Sequence, residues 1–362
     1  MSAAIFVIIL TTLFCYYDSR KKNSNKGLIF SAIIVTVFGG LRYGYGSDYP
    51  SYFRLFQTLS TYELADSFSD IRTELGWNLL NVLCNSIGFF GMVIVLTTFE
   101  TIVVYRFIGR YVNPKYYWLA NICYTFNTNM MLLGFSMMRQ FLAMCIFLIA
   151  VDFIVKKKWI IAILITIFAG LFHYSAFILI PFCFVGYIGE KEKNTFWLQT
   201  LFFFILGFYF FGGPLFEIIM PDLFSIDVFE DYGDVYGNDK IENVSMFSIA
   251  RIYEALLFIC LMLNYLKLNT KEKDLSLLYS MSVLLGGLVS VNAMAGRIIL
   301  YFSIIGVAVI PYIVQYFKDN LLKISFVLVY FIFLLYRFVV FFNTPIWESF
   351  KQYHTIFEHS WQ

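Results

Sequence analysis

The chain reads as an all-α polytopic integral membrane protein of about twelve transmembrane helices, with one further interfacial or re-entrant helix. Three observations predict this. The 362 residues are 60% hydrophobic and 21% aromatic but only 14% charged, where an ordinary soluble domain carries roughly 25% charged and 45–50% apolar residues. The apolar runs are long and do not alternate, which excludes a membrane β-barrel. The lysines fall almost wholly into short connections between those runs. A mean hydropathy of +0.74 agrees. The same composition excludes a soluble enzyme, a nucleic-acid binder and a disordered scaffold.

A bilayer core about 30 Å thick needs about 20 helical residues. Spans are expected near 1–17, 27–43, 91–109, 116–134, 137–155, 159–172, 174–189, 197–213, 246–266, 275–292, 297–316 and 324–343. The first is apolar from Ala3 to Phe14, with positive charge after it rather than before, so it reads as a retained span and not a secretory signal. Segment 75–89 holds Trp77, Asn78, Asn81 and Asn85 and is too polar for a span; it reads as interfacial or re-entrant. Of 16 lysines, 14 lie in 18–26, 110–115, 156–158, 190–196, 267–274 and 318–323. Placing those loops in the cytoplasm puts both termini outside. The chain is then a single transmembrane domain, 1–362, with two long extracytoplasmic segments. One is 44–90, which includes the interfacial helix. The other is 214–245, with eight acids against Lys240 alone; it is a solvated loop or, more sharply, a lid over a cleft. The six cysteines are dispersed among apolar residues and read as packing groups.

Lysines obey this topology and arginines do not. Arg42, Arg54, Arg72, Arg139, Arg251, Arg297 and Arg337, seven of ten, fall on or near the external side. A charge near hydrocarbon is costly and usually faces a protein interior or a wet cavity. A planar guanidinium grips phosphate or carboxylate bidentately. Arg42, Arg139 and Arg297 end or begin three separate spans at similar depth, so together they would form an anion site suited to a lipid-linked diphosphate. Arg251 reads as a partner of Glu254 one turn away, and Glu100 is the obvious partner for Arg337. Arg54 and Arg72 read as loop charges.

His173 lies in GLFHYSAF between two apolar runs too short for two full spans. The chain must therefore turn near it, on the side of the arginines, where imidazole can act as a general base near neutral pH. Residues 39–50 pack four glycines and three tyrosines around Arg42 and Asp48. Glycines let backbone approach a ligand, Tyr43 and Tyr49 offer faces for sugar rings, and Asp48 offers acceptors for hydroxyls. The sequence carries no metal-binding, phosphate-loop or nucleophile-elbow motif, so no metal and no cofactor is expected.

In combination, the blocks GGLRYGYGSDYPSYFRLF, TELGWNLLN, FSMMRQFLAMCIFLIA, KKKW…LFHYSAFILIP and AGRIILYF resemble the EpsG-type members of the Wzy polysaccharide polymerases. The resemblance covers about residues 25–345, and the acidic loop lies outside its pattern. That pattern falls on Arg42, Gly44, Asp48 and Tyr49, on Glu74, on Arg139 and Gln140, on His173 and Ser175, and on Arg297. It implies a Wzy/GT-C-like fold in the bacterial inner membrane, with the active site facing the periplasm or cell exterior. It implies transfer of a growing glycan from undecaprenyl diphosphate onto another lipid-linked repeat unit. His173, Arg139, Arg297 and Asp48 would be catalytic; Arg42, Tyr43, Gly44, Tyr49, Glu74 and Gln140 would bind substrate. Membrane lipids, a chain-length regulator and a flippase of the same pathway are the implied partners. A glycan ligase would use the same donor with a different acceptor. A lipid-linked oligosaccharide flippase would expose cations to both leaflets, whereas these arginines cluster on one side. A membrane acyltransferase is disfavoured, because Phe177 and Ile178 stand where a His-x₃₋₄-Asp motif would place its acid.

Overall fold

A computed structural model describes residues 1–21, 24–61, 73–185, 195–219, 248–289 and 293–358. The expected loop charge Arg72 and most of the acidic segment, residues 220–247, lie outside the described residues. The order of elements is α1 (Ser2–Arg20), α2 (Lys26–Gly40), β1 (Arg42–Tyr43), α3 (Tyr49–Leu59), α4 (Leu75–Leu83), α5 (Gly88–Tyr111), α6 (Tyr117–Thr125), α7 (Met131–Ser136), α8 (Met138–Val155) and α9 (Trp159–Gly170). A 3₁₀ helix, Tyr174–Phe184, follows, then α10 (Thr195–Ile219), α11 (Ile249–Asn264), α12 (Thr270–Gly286), α13 (Ala293–Ser303), α14 (Gly306–Tyr316), α15 (Asn320–Asn343) and β2 (His354–Thr355).

Among the described residues, six helical segments are long and apolar enough to cross a membrane, and the bent pair α13–α14, with 53° between its halves, makes a seventh. Three of the twelve expected spans, 27–43, 159–172 and 174–189, are short apolar helices of 10–17 residues. The expected span 116–134 is broken: α6 ends at Thr125 and α7 begins at Met131. The reason is local. Asn127 accepts the backbone N–H of Asn129 at 3.2 Å, and such side chains compete with the helical ladder. Segment 75–89 is divided between the nine-residue helix α4 and the start of the helical run that continues into α5.

The middle of the molecule is α8, 78% of whose apolar window is buried, against 22% for the peripheral α15. At one end of the bundle the lysine-bearing turns are tied together. Lys157 pairs with Asp274 at 2.8 Å, Arg110 pairs with Asp152, and Tyr316 donates to Glu272 at 2.8 Å. The turn between α1 and α2 joins that end through Tyr117, which donates to Asn25 at 3.2 Å. Opposite it lie the starts of α4 and α8 and the end of α9, together with Arg297 in the first half of α13. A C-terminal strap closes over α2. β2 pairs antiparallel with β1, Arg42 opposite Thr355, and Tyr353 stacks on Phe38 at 4.5 Å.

Candidate functional site

Four separate elements bring polar groups to the end opposite the lysine turns. The break at Met137 starts α8 afresh, with Arg139 in its first turn. A cation there is disfavoured by the positive end of the helix dipole, and Glu74 offsets it with an ion pair of 2.5 Å. Glu74 stands just before α4, whose position depends on Gly76. The Gly76 N–H donates to the Leu171 carbonyl at 2.8 Å, and a Cβ at Gly76 would lie 2.7 Å from that oxygen. The missing side chain therefore lets α4 dock on the turn that carries His173.

His173 follows α9, where the N–H groups of Phe172 and His173 both return to the Ala169 carbonyl. The chain reverses there as the short apolar runs require. His173 Nδ1 lies 2.6 Å from Ser175 Oγ, and Ser175 Oγ lies 3.1 Å from Tyr301 Oη. Both hydroxyl residues are fully buried, so the relay fixes the ring through Nδ1. Burial, and then the guanidiniums of Arg139 and Arg297, push His173 down to about 3, so the imidazole is neutral at neutral pH. Gln140, beside Arg139, donates to the Arg297 carbonyl at 2.7 Å and ties α8 to α13. Among the described residues, Arg139 Nε is buried without a partner. Its guanidinium lies 5.9 Å from the ring of Tyr52, whose hydroxyl also feels Asp48.

Asp48 is half-buried at the rim of this group. The loop before it bends at Gly44 (φ 62°) and Gly46 (φ 138°), both in the left-handed region. Its backbone N–H reaches Ser136 Oγ at 3.2 Å, one residue before the break that starts α8.

Glu74, Arg139, Gln140, His173 and Arg297 therefore lie on neighbouring elements at one end of the bundle, and Asp48 is tied to Ser136 just before α8. Arg42 does not join them. It is 2% exposed and donates to the Gly39 carbonyl, to Thr97 at 2.8 Å and to the Phe135 carbonyl at 3.5 Å. Its guanidinium covers the Phe135 ring, and Glu100 is its electrostatic partner. The expected trio is thus a pair plus one arginine held in the interior, because carbonyls freed at the end of α2 capture it first. Tyr49 is also inside: its hydroxyl donates to the Arg42 carbonyl at 3.2 Å. Tyr43 packs edge-on to Tyr49 and against Phe90. Gly44 serves the turn. Glu100 is the neighbour of Arg42 and not of Arg337, which lines a cavity with Glu254. Arg251 donates to the Tyr209 carbonyl, while Glu254 accepts from the Tyr209 hydroxyl at 2.7 Å; the two meet through Tyr209 and not directly. Tyr301 and Tyr52 are the residues that the sequence reading missed. Each lies four residues after a chosen one, Arg297 and Asp48, so helical spacing was the available signal.

Among the described residues no group of three or more His, Cys, Asp or Glu stands close enough to hold a metal. The charge at this site comes from two guanidiniums and one carboxylate paired to one of them, beside an imidazole. Such a set can bind an oxyanion and take up a proton beside it.

The fold and this cluster define an α-helical membrane protein with an arginine–histidine site at one end of its bundle. The chain belongs to the EpsG family, whose model matches residues 26–355. That membership suggests a polysaccharide polymerase role in the membrane. No curated protein and no solved structure matches the chain.

Proposed function

We propose that the protein polymerises undecaprenyl-diphosphate-linked oligosaccharide repeat units on the extracytoplasmic face of the bacterial inner membrane. What supports this reading is the gathering of Glu74, Arg139, Gln140, His173 and Arg297 at one end of the bundle in a chain of the EpsG family. In the proposed reaction the acceptor sugar hydroxyl attacks the anomeric carbon of the donor glycan. The bond to the diphosphate oxygen breaks, and undecaprenyl diphosphate leaves with that electron pair. Arg139 and Arg297 stabilise the charge that grows on the leaving diphosphate. Ser175 and Tyr301 hold the tautomer in which Nδ1 carries the proton, and Nε2 accepts the proton of the attacking hydroxyl. Glu74 aims Arg139, and Asp48 accepts hydroxyls of a sugar at the rim. Arg42 supports the loop that carries Asp48. The same groups would serve a ligase with another acceptor; the family supports the polymerase.

The test is a surface-glycan ladder in the host. Arg139→Ala and Arg297→Ala should each remove polymer, by about 10²–10³-fold in rate for a lost charge-stabilising donor, while single repeat units still reach the surface. Normal ladders from both variants would contradict the reading. Purified protein with synthetic lipid-linked repeat units should make polymer in EDTA, since the guanidiniums do the electrostatic work.

A further inference from the structure

On the other side of α13 from His173 lies a cavity of about 110 Å³, measured to the centres of water-sized groups. One water needs roughly 10–15 Å³ on that measure, so there is room for a ring-sized group. The helix itself separates the two places. Arg297 and Tyr301, one turn apart, belong to the cluster with Gln140 and Ser175. Ile299 and Ser303, also one turn apart, line the cavity.

The cavity lies between helices at membrane-spanning positions, yet its lining includes Glu254, Arg337, Asn127, Asn129, Ser282 and Ser303. Arg337 is on the inward stripe of α15 and has no hydrogen bond or ion pair among the described residues. Glu254 gives one carboxylate oxygen to the Tyr209 hydroxyl, and it forms no ion pair with Arg337. The Tyr253 hydroxyl is buried and unpartnered, and its ring stacks on Phe333 at 3.6 Å between centroids. Buried polar groups carry a desolvation cost that a ligand can offset. Opposed unpaired charges disfavour a phosphate, which Glu254 would repel. They suit a neutral ring that alternates donors and acceptors around its edge and offers C–H faces to aromatic walls.

We infer that this cavity, framed by Glu254, Arg337 and the Tyr253–Phe333 stack, is a saccharide subsite that holds one sugar ring of a glycan substrate. The choice of a saccharide rests on the proposed polymerase function; the cavity and its unpaired groups do not. A reaction that joins two glycans needs a hold on each, and this cavity lies across α13 from Arg297.

The test uses Ser303→Cys in the full-length protein in lipid nanodiscs. Methyl methanethiosulfonate modifies the introduced cysteine, and peptide mass spectrometry reads that position alone. The probes are methyl glycosides of glucose, galactose, rhamnose and N-acetylglucosamine. At a few times its Kd, at least one should slow modification by about fourfold, from the occupancy expected by mass action. Adding Glu254→Gln or Arg337→Met should restore the unprotected rate. If Ser303→Cys does not fold, Ser282→Cys takes its place. Equal rates with every glycoside would show a cavity that holds water only, and a cysteine that never reacts would show a closed one; each overturns the proposal. So does protection that survives both cavity substitutions. The ladder of Arg139→Ala judges the polymerase reading separately, so either idea can fail alone.

Discussion

Arg42 and Arg139 both lie where a helix of this bundle ends or begins anew, yet their guanidiniums meet different surroundings. Arg42 spends its donors on the Gly39 and Phe135 carbonyls and Thr97, and it covers the Phe135 ring. Arg139 has one carboxylate partner and a side chain 29% exposed. The Nε of each is buried without a partner among the described residues, so the two differ in access. A guanidinium enclosed by the protein holds a loop in place, whereas one that is partly exposed can take a ligand. Residue type is common to both, so it does not separate the roles.

The largest effect should come from breaking the first environment. Arg42→Met leaves Thr97 and the Gly39 and Phe135 carbonyls without their buried donor, and each buried polar group left unsatisfied costs about 1–3 kcal/mol. We expect Arg42→Met to lower the amount of folded protein in membranes. Arg139→Ala also frees Glu74 from its ion pair, so Arg139→Ala with Glu74→Gln is the variant expected to fold and remain inactive. Size-exclusion chromatography and thermal unfolding in detergent measure both. Full folding of Arg42→Met would mean that the two arginines are not different in kind.

Two smaller changes sharpen the second environment. Gly76→Ala places a methyl 2.7 Å from the Leu171 carbonyl, so α4 must shift, at a cost of about 1–3 kcal/mol. Because α4 carries Glu74 to Arg139, polymer yield should fall more than folded protein does; equal falls would reduce Gly76 to a packing residue. Tyr301→Phe removes only the far end of the relay through Ser175 to His173. One neutral hydrogen bond is worth about 1 kcal/mol, so kcat should drop several-fold with KM unchanged. A change in KM alone would put Tyr301 in substrate binding instead.

Much of this was legible in the sequence. Apolar runs disclosed the helical membrane class, and the shortness of the two runs around His173 required a turn there. Spacing also pointed to Glu74, Arg139 and His173 through blocks that resemble a known family. What stayed hidden was the direction of side chains after a helix ends. Nothing in GGLRYG says that Arg42 turns back to the Gly39 carbonyl, because that depends on α5 and α7 arriving with Thr97 and Phe135. Breaks were equally hard to see. The run 116–134 is apolar enough for one span, and only the polar FNTNM step marks where α6 stops. The cavity between α11 and α15 unites Glu254 and Arg337 from segments more than eighty residues apart, which no local pattern encodes.

The mildest prediction concerns pH and tests whether the site is built as described. His173 is held down to about 3, first by burial and then by Arg139 and Arg297, against an ordinary value near 6.5. The native ring therefore stays neutral as pH falls through 6.5, while the unfolded chain takes up a proton there. Stability rises with pH wherever the unfolded state binds more protons, so His173 should make the protein progressively less stable as pH falls from about 6.5 towards 3. The base itself is unaffected over that upper range. For purified protein, kcat/KM reports groups in the free enzyme, so it should show no His173 titration between pH 8 and 5 although thermal stability declines. Replacing Arg297 by Gln removes one of the two cations and should move the titration of His173 upward, towards the ordinary value. An inflection near 6.5 already present in the unsubstituted protein would mean that the guanidiniums do not crowd the imidazole, and the distinction between the enclosed and the accessible arginine would lose its second half.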